Sequence, residues 1–386
     1  MIKTLAISNY RSFLNLVLPL GQLNVITGAN ASGKSNLYRA LRLLAETARG
    51  GVVQALAREG GLDSTLWAGP ENLSRAMHRG DVPVQGTQRT KPVRLKLGFV
   101  GEDFGYAISL GLPPPSSSAF ARDPEVKHEC IWAGDSYRPS SALIVREKGL
   151  VKVREGRGWD VLTKDATSFE SIFTQLADPV RTPELFALRE SIRGWRFYDH
   201  FRTDREAPAR TPQLGTLTPV LHHDGRDLAA ALQTIREIGD ADALAAAIDD
   251  AFPGASLSLR RTDEGHFSIQ LQQPGLLRPL SATELSDGTL RYILWIAALL
   301  TPRPPSLMVL NEPETSLHPD LLPALARLIG RAAEQTQVWV VSHSTRLVGA
   351  LNQLQLCESI ELEKDLGETR VAGRGMLDEP PWHWAD

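Results

Sequence analysis

The sequence predicts an α/β protein with a mostly parallel core sheet covered by helices, an antiparallel β subdomain and a helical lobe. Three observations predict it. In the C-terminal third, helix 287–300, strand 306–311, helix 320–334, strand 337–342 and helix 345–352 alternate, which is the rhythm of parallel strands joined by helical crossovers. Near the N-terminus the apolar run Leu23–Thr27 stops at Gly28, and Leu37, Ala40, Leu41, Leu44 and Ala48 then mark one face of a helix over Ser35–Arg49. Between these regions, from Val93 to Trp159, apolar residues recur at every second position, the period of half-buried strands.

The remaining elements follow in order. Residues 2–8 and 14–20 read as two strands about the polar turn Asn9-Tyr10-Arg11-Ser12, and Gly50-Gly51 ends the first helix. Val93, Leu95, Leu97 and Phe99 alternate ahead of the turn 101–103, and Tyr106, Ile108 and Leu110 alternate after it; the Pro- and Ser-rich loop 113–118 interrupts the strands. Residues 183–194 and 226–251 have helical spacing, and 256–261 pairs with 266–271 as a hairpin around Asp263-Glu264-Gly265. No heptad pattern persists through three or four repeats, so long coiled-coil arms are not expected. We read residues 1–386 as a single domain with an N-terminal hairpin-and-loop lobe (1–50), a β-rich insertion (90–165), a helical connecting lobe (170–280) and a site-bearing segment (281–352).

Composition narrows the partners. Of 386 residues 42% are hydrophobic, enough for a sizeable core, and Lys+Arg 42 against Asp+Glu 45 leaves a net charge of -3. That balance provides no general positive field for indiscriminate nucleic-acid binding, so any DNA contact must use a local patch. Cys130 and Cys357 are the only cysteines, without zinc or disulfide spacing, and fit a reducing cytoplasm. The apolar stretch at the N-terminus contains Lys3, Asn9 and Arg11, and no run reaches the about 18 apolar residues of a membrane span. A cytoplasmic protein without a membrane partner is expected.

Gly28-Ala-Asn-Ala-Ser-Gly33-Lys34-Ser35 matches G-x-x-x-x-G-K-[ST], directly after a predicted strand and before a predicted helix. In such a loop the glycines let backbone N–H groups turn inward around phosphate oxygens, and the helix N-terminus adds partial positive charge. Lys34 would reach the β- and γ-phosphates of ATP, and the Ser35 hydroxyl would ligate magnesium. Gly28, Asn30, Ala31, Ser32, Gly33, Lys34, Ser35 and Asn36 are therefore the nucleotide-binding candidates.

Three later segments add to this. Ser286 opens a predicted helix as an N-cap, and the N–H groups up to Gly288 and Thr289 form an anion site. Asn311 and Glu312 end an apolar strand, where ligands bind in an open parallel sheet. His343 follows the strand 337–342.

Together, Leu5-x-Ile7-x-Asn9-Tyr10-Arg11-Ser12-Phe13, Leu285-Ser-Asp-Gly-Thr-Leu-Arg291, Leu310-Asn-Glu-Pro-Glu-Thr-Ser-Leu-His-Pro319 and Val340-Val-Ser-His-Ser344 resemble the RecF/SMC/OLD branch of ABC ATPases, a branch of P-loop NTPases. They resemble its opening hairpin, signature, Walker B with D-loop, and switch histidine. The resemblance is good over residues 1–50 and 280–350 and loose between them.

The resemblance implies an ATP-sandwiched homodimer in which Ser286 and Gly288 close on the γ-phosphate held by the opposite subunit. It implies Glu312 as the general base that orients the attacking water, His343 as a switch that senses the γ-phosphate, His318 at the dimer contact and Arg11 near the nucleotide. The coupling glutamine would be Gln175 or Gln213. Asn311 departs from the usual Asp: it keeps a carbonyl oxygen for magnesium-bound water but loses the charge, so weaker metal binding and slow turnover are expected. Relatives of the OLD group carry a C-terminal nuclease domain of Toprim type, for which the stretch after His343 has no room, so a nuclease would be a separate effector chain.

The expected function is ATP hydrolysis in DNA transactions, in repair or in defence against foreign DNA. A slow ATP sensor that gates a separate effector is the second reading. A transporter subunit is the third, disfavoured by Leu285-Ser-Asp-Gly-Thr289 where transporters carry Leu-Ser-Gly-Gly-Gln. Arg193, Arg196, Arg202, Arg205 and Arg210 among Trp195, Phe197, Tyr198 and Phe201 could track a nucleic-acid backbone or form a solvated face beside a core strand.

Overall fold

Alternating apolar residues at the N-terminus pair as an antiparallel hairpin, β1 (Thr4–Tyr10) with β2 (Phe13–Pro19), in which Tyr10 faces Phe13 across the turn. Asn9 and Arg11 adopt positive φ there, at 58° and 50°. A computed structural model describes residues 1–70, 74–82, 92–176, 178–375 and 378–385, so residues 90 and 91 of the expected β-rich insertion lie outside the described residues. The chain divides into two units, residues 1–21, 27–195 and 360–386, and residues 22–26 and 196–359.

β3 (Leu23–Gly28), of which only the last two residues lie in the first unit, delivers the chain to that unit's α1 (Lys34–Thr47), followed by α2 (Val52–Arg58), α3 (Leu62–Thr65) and α4 (Arg75–His78). The period-two section forms β4 (Leu95–Val100), β5 (Phe104–Gly111), β6 (Glu125–Ala133), β7 (Ala142–Glu147), β8 (Leu150–Glu155) and β9 (Gly158–Thr163). These join the N-terminal hairpin in one antiparallel sheet, ordered β2-β1-β4-β5-β6-β7-β8-β9. Then come α5 (Ile172–Gln175) and α6 (Pro183–Gly194), the latter with the bounds its periodicity predicts.

A buried ion pair fixes α5 to this sheet. Arg146 donates to Glu129 at 2.9 Å, and both side chains are fully buried. Glu129 also accepts from the Tyr106 and Ser171 hydroxyls and the Ile172 N–H, while Arg146 donates to the carbonyls of Lys148, Glu170 and Thr167. Burying two charges is tolerable because the surrounding groups satisfy them. On the sheet, Trp132 and Trp382 meet edge to face at 5.7 Å beside Val100, Ala107, Cys130 and Ala142. The indoles sit where glycines leave space: a Cβ on Gly98 would lie 2.7 Å from the Trp382 ring, and one on Gly105 would overlap Trp132.

The second unit begins, after residues 22–26, with β10 (Arg196–Tyr198) and β11 (Gln213–Leu214). The expected helix 226–251 is two helices, α7 (Leu228–Ile238) and α8 (Ala241–Ala251). Gly239 ends the first, and the Asp240 carboxylate accepts the Ala243 N–H at 2.8 Å as the N-cap of the second. The spacing hid this break because both helices keep an apolar face in register.

β12 (Ser256–Arg261), β13 (His266–Gln272) and β14 (Leu280–Ser281) form a small antiparallel sheet with β11. The βα alternation follows: α9 (Asp287–Leu299), β15 (Leu307–Asn311), α10 (Leu322–Ala333), β16 (Gln337–Val341) and α11 (Thr345–Leu351). β10, β15 and β16 pair in parallel, and β16 pairs in parallel with the first residues of β3, with Val340 opposite Val25. β16 is buried throughout, and α9 is buried on every side from Leu290 to Leu299, as expected of a core helix. β17 (Cys357–Asp365) and β18 (Glu368–Val371) form a hairpin that the periodicity left unassigned, with its Leu362 to Val371 pairs in the first unit. Among the described residues no helix is long and apolar enough to cross a membrane.

Candidate nucleotide site

In the first unit the loop from Gly28 to Gly33 connects β3 to α1, whose N-cap is Gly33, with no side chain capping it. Helix N–H groups at that end are therefore left for a ligand. Gly28, Ala31 and Gly33 have φ of 142°, 65° and 112°, the alternation that curls a backbone into an anion-binding nest. Both glycines are sterically required. A Cβ on Gly28 would lie 2.6 Å from Ser32 Oγ, and one on Gly33 would lie 2.8 Å from Thr369 Cγ2.

Lys34 is nearly buried and folds back along the loop, donating Nζ to the carbonyls of Gly28 at 2.6 Å and Ala29 at 3.0 Å. It thus holds a positive charge beside the nest, while Asn30, Ala31 and Ser35 are exposed at its surface. Ser32 Oγ is buried without a hydrogen-bond partner, so the loop keeps an unused polar atom beneath its exposed rim. A nest with a lysine across it and an exposed hydroxyl at the helix start fits a phosphate chain and its magnesium.

Support for the loop comes from distant residues. Thr369 Oγ1 lies 2.8 Å from the Ser32 carbonyl and 2.7 Å from Ser12 Oγ, and Asn36 Nδ2 donates to Ser12 Oγ at 2.9 Å. A carbonyl has no proton to give, so Thr369 donates to Ser32, and Ser12 donates to Thr369. The relay runs from Asn36 through Ser12 and Thr369 to the loop backbone. Arg11, the hairpin candidate, is paired with Glu59, whose Oε2 accepts from its Nη2 at 2.7 Å and from the Tyr10 hydroxyl at 2.8 Å. Burial and the Glu59 charge push the Tyr10 phenol up.

In the second unit Ser286 caps α9, its Oγ accepting the Thr289 N–H at 3.1 Å. A Cβ on Gly288 would lie 3.1 Å from the Ser316 carbonyl, so the turn that opens α9 and the segment after β15 touch. Two arginines brace this turn: Arg210 donates to the Ala282 and Leu285 carbonyls and to Asp287, and Arg291 donates to the Thr315 and Phe201 carbonyls. Arg291 leaves the quoted signature segment to do so; Arg210 carries no local signal of this role.

Asn311 closes β15 opposite Val341, and Glu312 turns out of the strand at φ 50° with its N–H on the Val341 carbonyl. This left-handed geometry is strained for a residue with a Cβ, and such strain gathers at functional sites. Glu312 and His343 are both half exposed, with Nδ1 3.6 Å from Glu312 Oε1. The structure therefore brings Asn311, Glu312 and His343 to one sheet end. His318 is exposed and accepts the Asp320 N–H at the start of a short 3-10 turn.

The remaining candidates differ in how they are engaged. Gln175 accepts from the Thr167 N–H and donates to the Thr167 and Glu170 carbonyls, whereas Gln213 donates to the Pro208 carbonyl and keeps a buried Oε1 without a partner. Trp195, Phe197, Tyr198 and Phe201 are all buried, so they offer no stacking platform for bases, and Arg210 is buried with them rather than on a basic track. Among the arginines of that cluster, Arg202 is paired with Asp204 and Arg193 with Glu190.

The family match and the fold define a protein with an AAA domain whose architecture is similar to that of SMC heads. Residues 23–349 match the family described as "AAA domain, putative AbiEii toxin, Type IV TA system", and the chain belongs to that family. Among solved structures it is similar to an SMC head bound to the C-terminal winged-helix domain of ScpA, at 13% identity and TM-score 0.50, covering 97% of this chain and 98% of that one. A Thermotoga maritima SMC head domain matches at 14% identity and TM-score 0.48, covering 97% and 99%. No curated protein matches the sequence.

Proposed function

We propose that this chain binds ATP with magnesium and hydrolyses it as an ATP-sandwiched homodimer that serves DNA transactions, in repair or in defence against foreign DNA. The observation that carries the reading is the phosphate loop, with Gly28, Ala31 and Gly33 at positive φ and Lys34 held across it. Lys34 would contact the β- and γ-phosphates, and Ser35 and Asn311 would hold magnesium, which would supply charge neutralisation. Glu312 orients the attacking water, His343 contacts the γ-phosphate, and Ser286 and Gly288 receive the γ-phosphate of the partner copy. The defence role is supported by the family description, which names a toxin of a toxin–antitoxin system.

Asn311 favours a second reading, in which ATP is bound and turned over slowly so that the dimer reports nucleotide state to a separate effector such as a nuclease. A neutral amide at the metal position binds magnesium less well than a carboxylate. ATP turnover and oligomeric state, measured with and without DNA for wild type, Lys34→Ala and Glu312→Gln, test both. Turnover by wild type with an ATP-dependent dimer trapped by Glu312→Gln is expected. Wild-type turnover no faster than Glu312→Gln would select the sensor, and no ATP binding would overturn both readings.

A further inference from the structure

The carboxylate of Glu314 is nine-tenths buried and faces the turn that carries His343. Its Oε1 accepts three hydrogen bonds, from Ser342 Oγ at 2.6 Å, the His343 N–H at 3.1 Å and the Ser344 N–H at 3.1 Å. Those donors span the turn between β16 and α11. The same turn is pinned a second way, since Ser342 Oγ accepts the Ser344 N–H and Ser344 Oγ accepts the Leu347 N–H as the cap of α11. His343 Nδ1 lies 3.7 Å from Glu314 Oε1, at nearly the distance that separates it from Glu312 Oε1.

One oxygen thus fixes the histidine backbone, while the other, Oε2, is buried without a hydrogen-bond partner. Holding the turn requires only an acceptor, which a glutamine amide would provide without burying a charge. The charge is what a glutamine lacks, and an unpartnered carboxylate oxygen is costly to bury. The imidazole lies on the Oε1 side of the same carboxylate, and an Nδ1 that faces carboxylates is a donor, which leaves Nε2 as an acceptor in the neutral ring and as a second donor in the charged one.

We propose that Glu314 is the positioning residue for His343: its Oε1 clamps the backbone of the turn, and its negative charge orients the imidazole with Nδ1 toward the two carboxylates and Nε2 outward. Glu312 remains the group assigned to the attacking water, and Glu314 acts only through His343. The inference rests on the ATPase reading.

The test is a double-mutant cycle of Glu314→Gln and His343→Ala on the full chain, with kcat and KM for ATP as readouts. Glu314→Gln keeps the side-chain volume and an acceptor for the three donors, so the turn survives. A fall in kcat of about ten- to a hundredfold, the scale seen when a residue that orients a functional histidine is changed, is expected with KM within about twofold. In the His343→Ala background the same substitution should cost nothing further, because its route of action is gone. Wild-type kcat in Glu314→Gln, or losses that multiply in the double variant, would overturn the proposal. Should Glu314→Gln fail to fold, Glu314→Asp takes its place: it keeps the charge but withdraws it by one methylene, and the same loss of additivity is required. Absence of ATP turnover in wild type is a different result, which overturns the ATPase reading and this inference together.

Discussion

Thr369 donates its hydroxyl to the carbonyl of Ser32 across 337 residues of sequence, so the backbone of the phosphate loop is held by a strand from the far end of the chain. Removing the proton should therefore be felt both in stability and at the loop. Thr369→Val leaves the Ser32 carbonyl without its side-chain donor and the Ser12 hydroxyl with Asn36 but no acceptor for its own proton, in a buried setting. A loss of about 1–3 kcal/mol in denaturant unfolding is expected, the usual cost of orphaned buried polar groups. Weaker ATP binding should accompany it, read by nucleotide titration.

Gly33→Ala addresses the same spot from the other side. The added methyl would meet the Thr369 side chain, and φ of 112° lies where residues with a Cβ are strained. ATP binding should be lost while the second unit keeps its fold, which hydrogen exchange of β15 and β16 would show.

Asn311→Asp restores a charged oxygen at the end of β15. The magnesium concentration for half-maximal turnover should fall on the order of tenfold, the effect of one added charge at ligand distance, and turnover should rise. An unchanged magnesium dependence would mean that Asn311 does not limit the reaction.

The Glu129–Arg146 pair belongs to the scaffold rather than to the chemistry. Glu129→Ala strands a fully buried guanidinium and should cost about 3–5 kcal/mol, seen as a large fall in melting temperature. Replacing both residues by apolar ones of similar volume should recover most of it.

The two thiols supply a probe for these experiments. Burial pushes the Cys130 thiol up to about 12, and burial with the Glu358 charge pushes Cys357 up to about 11. Alkylation at pH 8 should be slow for both in the folded protein, because the thiolate is the reacting form. The rate should rise with pH and rise sharply on unfolding, and mass spectrometry after a short pulse would read it.

What was legible in the sequence was local. The phosphate loop announces itself because its glycines, lysine and flanking strand and helix are contiguous; α6 was readable from its periodicity, and α9 from its place in the βα alternation and its Ser286 cap. Partners brought together by tertiary structure left no such trace. Thr369 lies in a short polar hairpin, and Glu314 is one of two acids in Glu312-Pro313-Glu314 that spacing cannot rank. The break between α7 and α8 was hidden because Gly239 and Asp240 interrupt the hydrogen bonding without disturbing the apolar stripe. The aromatic residues around Arg196 suggested a surface, but their size is spent filling cores, which composition alone does not distinguish from stacking.

The seat of Trp382 carries a consequence for how this sequence can drift. Gly98 is small because an indole from the other end of the chain occupies the space that its side chain would need. That allowance of volume is not theirs alone, since the Tyr106 carbonyl would lie 2.9 Å from the same added Cβ, so the tail can lose its indole while position 98 in β4 stays glycine, and homologues should vary the first more freely than the second.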